Sequence, residues 1–305
     1  MSFTVTILGS GAALPTARRN PTAQYIICND RHILIDCGEG TQMQLRNAGI
    51  KIQRINHILI SHLHGDHFFG LVGLISTMHL LGRDKGLTIY GPEQLEQIVR
   101  MQLEVGAAKL NFDIRFVVLN GKENCLLFED KLIEIHAFPL KHRIPTTGFL
   151  IKEKIHERKL IAEAVAEAGL KLEHLPLLKK GMNITDENGQ EIDFEDFTLP
   201  PKPSYSYAYC SDTAYWETVI PFIQNASVLY HEATFVEKEK DRAKATFHST
   251  AKQAAKIAHL ANVGKLLLGH LSARYSDGLE HEKEAQSIFE KSEVVEDGKT
   301  YFISL

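Results

Sequence analysis

Ser61-His62-Leu63-His64-Gly65-Asp66-His67 places three imidazoles and one carboxylate on the turn between two apolar segments. His57 to Ile60 reads as a buried strand, and Phe68 to Leu81 reads as an apolar helix. Polar groups crowded at the end of a buried strand are costly unless something coordinates or neutralises them. Zinc takes neutral imidazole nitrogens and carboxylate oxygens in roughly tetrahedral geometry. The strand end can aim His62 and His64 at one ion, and the turn at Gly65 lets Asp66 and His67 face a second.

One motif cannot close two metal shells, so further ligands must come from elsewhere. His142 follows the strand-like run Leu132–Phe138, Asp212 follows Tyr205–Cys210, and His270 follows Lys265–Gly269. Ligand sites in α/β sheets gather beyond the carboxyl ends of strands. Taken singly each residue says little. A lone histidine after a strand is more often hydrogen-bonded core or surface, and Asp212-Thr213 suits the cap of a helix over Ala214–Ile223. Beside the His-x-His-x-Asp-His cluster, the three read jointly as ligands.

Further out, short β-branched runs alternate with helical ones. Strands are expected at Phe3–Leu8, Gln24–Cys28, Ile33–Ile35, Leu87–Tyr90, Ile114–Leu119, Val228–His231 and Tyr301–Ser304. Helices are expected at Gly40–Asn47, from Pro92, and at Thr250–Leu260 and Leu279–Lys291. Between the two βα-rich halves, Lys152 to Lys180 reads as one charged helical stretch, apolar at Ile155, Ile161, Val165 and Leu170. An acidic loop, Asp186 to Asp193, and Pro200-Pro201-Lys202-Pro203 follow before core strands resume at Tyr205. Residues 152–195 therefore read as an insertion in a single domain spanning 1–305, and its plain interpretation is a solvated surface hairpin. No repeat of 20–50 residues is present, which excludes a solenoid.

The 305 residues are 44% hydrophobic and 24% charged, the balance of a globular chain with a sizeable core. Thirty-four Lys and Arg against 38 Asp and Glu give a net charge of −4, so a nucleic-acid site must be a local patch. Cys28, Cys37, Cys125 and Cys210 form no C-x-x-C pair and read as reduced thiols. The start of the chain lacks a basic signal region, and no apolar run reaches the length of a membrane span. A cytoplasmic protein with no membrane contact is expected.

The metal-binding pattern, followed by isolated His, Asp and His residues, resembles the metallo-β-lactamase superfamily. Smaller segments narrow the resemblance: Leu8-Gly-Ser-Gly-Ala-Ala-Leu-Pro-Thr16, Arg19-Asn20-Pro21, His231-Glu232-Ala233-Thr234, Phe247-His248-Ser249-Thr250 and Gly269-His270-Leu271-Ser272-Ala273-Arg274-Tyr275. In order, and over nearly the whole chain, they are similar to the ribonuclease Z family of tRNA 3′-processing endonucleases. The resemblance implies an α/β fold, an αβ/βα four-layer metallo-β-lactamase sandwich, with a flexible exosite arm inserted at 152–195 that clamps tRNA. It also implies a homodimer in which one subunit's arm holds precursor tRNA cut by the other. The family's bacterial arm usually carries a Gly-Pro turn. Here Leu175-Pro176-Leu177-Leu178-Lys179-Lys180-Gly181 lacks it and keeps a basic lysine pair.

Carried over position by position, the resemblance gives one zinc His62, His64 and His142, and a second Asp66, His67 and His270, with Asp212 bridging; manganese is the other candidate metal. Asp66 would orient the attacking water and accept its proton. His248, outside the ligand set, would act as general acid or transition-state stabiliser with Glu232 orienting it, although Ser249 or Thr250 more plainly caps the next helix. The products would be a tRNA 3′-hydroxyl and a trailer with a 5′-phosphate. Ser272, Arg274, Arg18 and Arg19 are candidates for phosphate contacts. Two other readings stand beside this one: a metallohydrolase of the same superfamily acting on small phosphodiesters, aryl esters or sulfates, and a non-catalytic RNA-binding paralogue.

Overall fold

The computed structural model describes residues 3–185 and 189–304, so the expected acidic loop at 186–193 lies partly outside the described residues. The chain divides into two compact units. The larger comprises residues up to Glu129, Ile133–Lys152 and the chain from Tyr205 onward; the smaller comprises Asp130–Leu132 and Glu153–Ser204.

Two seven-stranded sheets form the larger unit. The first runs, edge to edge, through Thr300–Phe302, Phe3–Gly9, Ala23–Cys28, Arg31–Ile35, His57–Leu59, Leu87–Gly91 and Ile114–Val118. The second runs through Ser292–Val294, Lys265–Gly269, Val228–Glu232, Ser206–Cys210, Thr146–Glu153, Ile133–Leu140 and Cys125–Glu129. Side-chain alternation along each strand decides the layering. In the first sheet Leu8, Tyr25 and Leu34 pack with Leu45, Leu74 and Ile75 of helices Thr41–Asn47 and Leu71–Leu80. In the second, Ala208, Cys210 and Leu268 pack with Ala254, Ala255 and Ala258 of helix Ala251–Leu260. Tyr207 and Tyr209 must then face the opposite way. There Tyr207 donates a hydrogen bond to Gln24 Oε1, and Tyr209 donates to Asp36 Oδ2 at 2.7 Å, tying one sheet to the other. Helices thus flank a pair of facing sheets, the four-layer αβ/βα sandwich that the resemblance implied.

The strands His57–Leu59, Ser206–Cys210 and Lys265–Gly269 belong to the parallel parts of these sheets. Their carboxyl ends lead directly into His62, Asp212 and His270.

Several local expectations need correction. The helix expected over Phe68–Leu81 is split into Gly65–Phe68 and Leu71–Leu80, because the Gly70 N–H bonds to the Cys37 carbonyl rather than within a helix. No helix starts at Ala214. Its N–H is taken by the Lys141 carbonyl and that of Thr213 by Glu232, leaving a 3-10 turn at Glu217–Val219 and a short helix at Ile220–Ile223. The last helix stops at Gln286, and Ser292–Val294 joins the sheet edge. Strand Cys125–Glu129 and helix Lys240–Thr246 were not anticipated.

The smaller unit is not one helical stretch. Lys159–Leu160 pairs with Thr198–Leu199, and among the described residues the α-helical segments are the short ones Ala162–Glu167, Leu175–Lys179 and Phe194–Phe197. Gly169, at φ +60°, ends the first helix, and Pro176 opens the second. Over 153–204 there are seven Lys and Arg against eleven Asp and Glu, so the unit is acidic in balance. Its basic character is local: the Arg158 N–H bonds to the Lys179 carbonyl, which brings Lys159 beside Lys179 and Lys180. Arg158 itself stacks on Phe194 and donates to Thr198. Among the described residues, no helix is long and apolar enough to cross a membrane.

Gly269 shows how tightly the site-bearing strand is packed. A Cβ there would lie 2.2 Å from the Tyr230 hydroxyl and 2.6 Å from two ring carbons. That ring is fully buried and stacked on Tyr209 at 5.3 Å. Gly269→Ala is expected to cost about 1–3 kcal/mol by overpacking, read as a lower urea midpoint; an unchanged midpoint would contradict the crowding.

Candidate metal centre

Asp212 is the centre of a ring of imidazoles. Its Oδ1 lies 3.1 Å from His270 Nε2 and 3.2 Å from His67 Nε2. Its Oδ2 lies 3.5 Å from His62 Nε2 and 3.6 Å from His142 Nε2. His64 Nδ1 completes the second side, 3.0 Å from His62 Nε2 and 3.3 Å from His142 Nε2. On the first side Asp66 Oδ2 sits 3.5 Å from His270 Nε2 and 3.6 Å from His67 Nε2, and accepts the Ala13 N–H at 2.9 Å. The side chains singled out in the sequence therefore meet in two groups, His62 with His64 and His142, and Asp66 with His67 and His270, sharing Asp212. Asp212 caps no helix.

The backbone is bent to achieve this. Asp212 has φ +60° and His270 φ +55°, immediately beyond their strands. Asp and His tolerate this left-handed region better than most residues, and such departures collect at functional sites.

A second ring of groups fixes the imidazoles of His62, His67, His142 and His270. His67 Nδ1–H donates to Asp36 Oδ2 at 2.7 Å. Asp36 also accepts the Ser61 N–H at 2.7 Å and the Ser61 hydroxyl at 2.9 Å. Because that hydroxyl donates to Asp36, Ser61 Oγ accepts from His62 Nδ1–H at 3.0 Å. His142 Nδ1–H donates to the Phe247 carbonyl at 3.0 Å. Phe247 ends helix Lys240–Thr246 in the left-handed conformation, φ 60°, which turns its carbonyl toward His142 and hands the chain to His248. His270 Nδ1–H donates to Thr234 Oγ1 at 3.0 Å, and the Thr234 hydroxyl donates to Glu232 Oε2 at 2.6 Å. Orienting bonds of this kind set the tautomer that leaves Nε2 free to ligate.

The donor set fits a divalent cation. The Nε2 atoms of His67 and His270 are buried and have no hydrogen-bond partner among the described residues. Both point their lone pairs at carboxylate oxygens, which is repulsive unless a positive charge lies between. Burial works to lower the His67 pKa, but Asp212, Asp36 and Asp66 drive it well above the ordinary value. Burial likewise opposes charge on Asp212, yet His270, His67 and His62 hold its carboxyl well below the usual range. The pocket demands positive charge, as protons or as metal. His62, whose burial dominates, is pushed down to about 4, which keeps it neutral as a ligand must be.

His248 and Glu232 are also brought together. His248 Nδ1 lies 2.8 Å from Glu232 Oε1, and the His248 ring is stacked on that of His270 at 5.5 Å and tilted against that of His142 at 5.2 Å. Glu232 is fully buried and accepts the backbone N–H groups of Thr213 and Ser249 as well. Burial would raise its pKa, but His248 brings it down to about 2. Burial would lower His248, but the Glu232 carboxylate raises it to about 9. Thr250, not Ser249, caps helix Ala251–Leu260, through a capping box with Gln253. His248 is thereby a charged neighbour of the cluster rather than part of the cap.

His64, Asp66, His142, Asp212, His248 and His270 line a cleft of about 310 Å³ that also holds Ser272 and Arg274. Arg18 and Arg19 line a separate cleft with Asp277, Glu282 and Asp297, where Arg18 donates to the Ser276 carbonyl. A larger cleft of about 620 Å³ beside helix Gln94–Val105 contains none of the clustered groups. Sequence reading passed over Asp36, Ser61, Thr234 and the Phe247 carbonyl. Asp36, directly after strand Arg31–Ile35, could have been marked by the same strand-end argument that found Asp212.

Glu232→Gln removes the carboxylate that raises His248. The His248 titration midpoint, followed by imidazole proton NMR on metal-free protein, is expected to fall from about 9 toward its ordinary 6.5; a midpoint that stays put would break the pair.

Against known proteins, residues 3–157 match the family model described as anti-Pycsar protein Apyc1. A ribonuclease Z from Parabacteroides distasonis is 45% identical, over 97% of this chain and 97% of that protein. The crystal structure of human tRNase Z, short form, superposes with a TM-score of 0.71 at 28% identity, covering 99% of this chain and 100% of that one. The metallo-β-lactamase fold protein YhfI from Bacillus subtilis, at 18% identity, shares the fold with a TM-score of 0.70, covering 99% and 100% respectively. The chain belongs to the ribonuclease Z family, with the metallo-β-lactamase fold, and its first half falls within the anti-Pycsar protein Apyc1 family model.

Proposed function

We propose that this chain is a metal-dependent endoribonuclease that removes the 3′ trailer of tRNA precursors, leaving a 3′-hydroxyl on the tRNA and a 5′-phosphate on the trailer. One observation carries the reading: six side chains from three other parts of the chain converge on Asp212, beside an imidazolium held by a buried carboxylate. Near-full-length similarity to ribonuclease Z proteins supports tRNA precursors as the substrate.

His62, His64 and His142 would hold one zinc and Asp66, His67 and His270 the other, with Asp212 between them; manganese is the alternative. Metals bound there supply Lewis acidity, easing deprotonation of water and offsetting phosphoryl charge. Asp66, anchored by the Ala13 N–H, orients the attacking water and takes its proton. Its carboxyl stays ionised for this, because His67 and His270 outweigh burial and hold it well below the usual range. His248 is protonated at neutral pH and donates to the 3′-oxygen as it leaves. Glu232 fixes the His248 ring and, through Thr234, the His270 ring. It acts as a positioning residue for both.

The smaller unit, with Lys159, Lys179 and Lys180 adjacent, grips the tRNA backbone by charge and shape. The working enzyme is a cytoplasmic homodimer in which each subunit's insertion serves the partner's site.

Incubating the purified protein with a 3′-extended tRNA and mapping the end groups tests this directly. One cut at the tRNA 3′ end, with a 3′-hydroxyl and a 5′-phosphate, is expected; hydrolysis of small phosphodiesters alone would overturn it. Asp66→Ala is expected to lower turnover by about 10²-fold or more while the tRNA Kd changes little. Equal loss of both would contradict the separation of grip from chemistry.

A further inference from the structure

The cleft around Asp212 carries cationic groups that the hydrolytic chemistry above does not use. Arg143, next to His142, and Arg242, on helix Lys240–Thr246, line it together with Arg274. All three are exposed, and none forms an ion pair among the described residues. Most exposed arginines need no partner, but these three surround acidic groups whose charge is already taken up by the histidines. Arg242 is additionally steadied, its guanidinium 5.9 Å from the centroid of the Phe235 ring, which lines the same cleft. Thr246, one turn along the helix, lines the cleft as well and bonds back to the Arg242 carbonyl at 2.8 Å. Arg143 approaches from the His64 and His142 side, and Arg274 comes from the segment just past His270.

Several guanidinium groups without a carboxylate partner, lining the same cleft as a phosphodiester site, suit the successive charges of a nucleic-acid strand more than the single charge of a small ester. We infer that Arg143 and Arg242 each bind a backbone phosphate flanking the scissile one, making the site selective for a phosphodiester inside a chain. The inference rests on the endoribonuclease reading and adds a specificity determinant to it.

The test uses full-length protein and two 3′-extended tRNAs, one natural and one with neutral methylphosphonate linkages on both sides of the cut. Arg143→Gln and Arg242→Gln are each expected to reduce kcat/KM on the natural substrate by about tenfold or more. The dependence of log kcat/KM on log salt should flatten by about 0.7–0.9 per arginine. On the methylphosphonate substrate the same substitutions should cost far less, since the charge they answer is gone. Arg242→Lys should recover part of the loss on the natural substrate, and metal content and melting temperature should match those of the unsubstituted protein. Equal losses on both substrates, or an unaltered salt slope, would overturn the assignment of these arginines while leaving the endonuclease intact. Failure of the unsubstituted protein to cut the natural substrate would instead remove the endoribonuclease reading and this inference with it.

Discussion

A single buried carboxylate set among imidazoles imposes the main constraint on this molecule. Asp212 faces four Nε2 atoms, two on each oxygen, in a pocket closed to water on its inner side. With neutral histidines and ionised Asp66 and Asp212, the pocket is electrostatically unbalanced. Neighbouring features answer that imbalance: the raised His67, the depressed Asp212, and the bonds that keep Nδ1 of His67 and His142 turned outward. A site so arranged favours the binding of positive charge by construction.

The sandwich is the means of holding those groups in place. Parallel strands from both sheets end at the same edge, and residues just past three of them enter the left-handed region or a tight turn to aim their side chains. Tyr209 links the sheets at the depth of the cluster: its hydroxyl donates to Asp36, which in turn holds His67 and Ser61. Packing of the core and orientation of a ligand are therefore joined by one hydrogen-bond chain, and the same holds at Glu232, which serves His248 directly and His270 through Thr234. Ligand geometry and acid chemistry thus share a buried carboxylate.

How much of this could be read from the sequence depends on the range of the interaction. The His-x-His-x-Asp-His spacing is local, and the residue types at three later strand ends are unusual enough to be grouped without a structure. The orienting groups were not so legible. Asp36 and Thr234 look like ordinary polar residues until the fold brings them to histidines 31 and 36 positions away. The Phe247 carbonyl has no sequence signature at all. Helix expectations failed where tertiary partners took the backbone donors, at Gly70 and Ala214, and where Gly169 interrupted an otherwise helical pattern. In the insertion, the eye follows the lysines, yet acidic residues outnumber them over 153–204. Only the folding of that unit shows which basic residues stand together.

Metal content is the most direct measurement of the central claim. Protein purified without chelator, analysed by inductively coupled plasma mass spectrometry, should carry close to two divalent ions per chain, and Asp212→Ala should lose most of them while remaining folded. A wild-type chain that binds no divalent metal, even after dialysis against zinc or manganese, would contradict the account at its base.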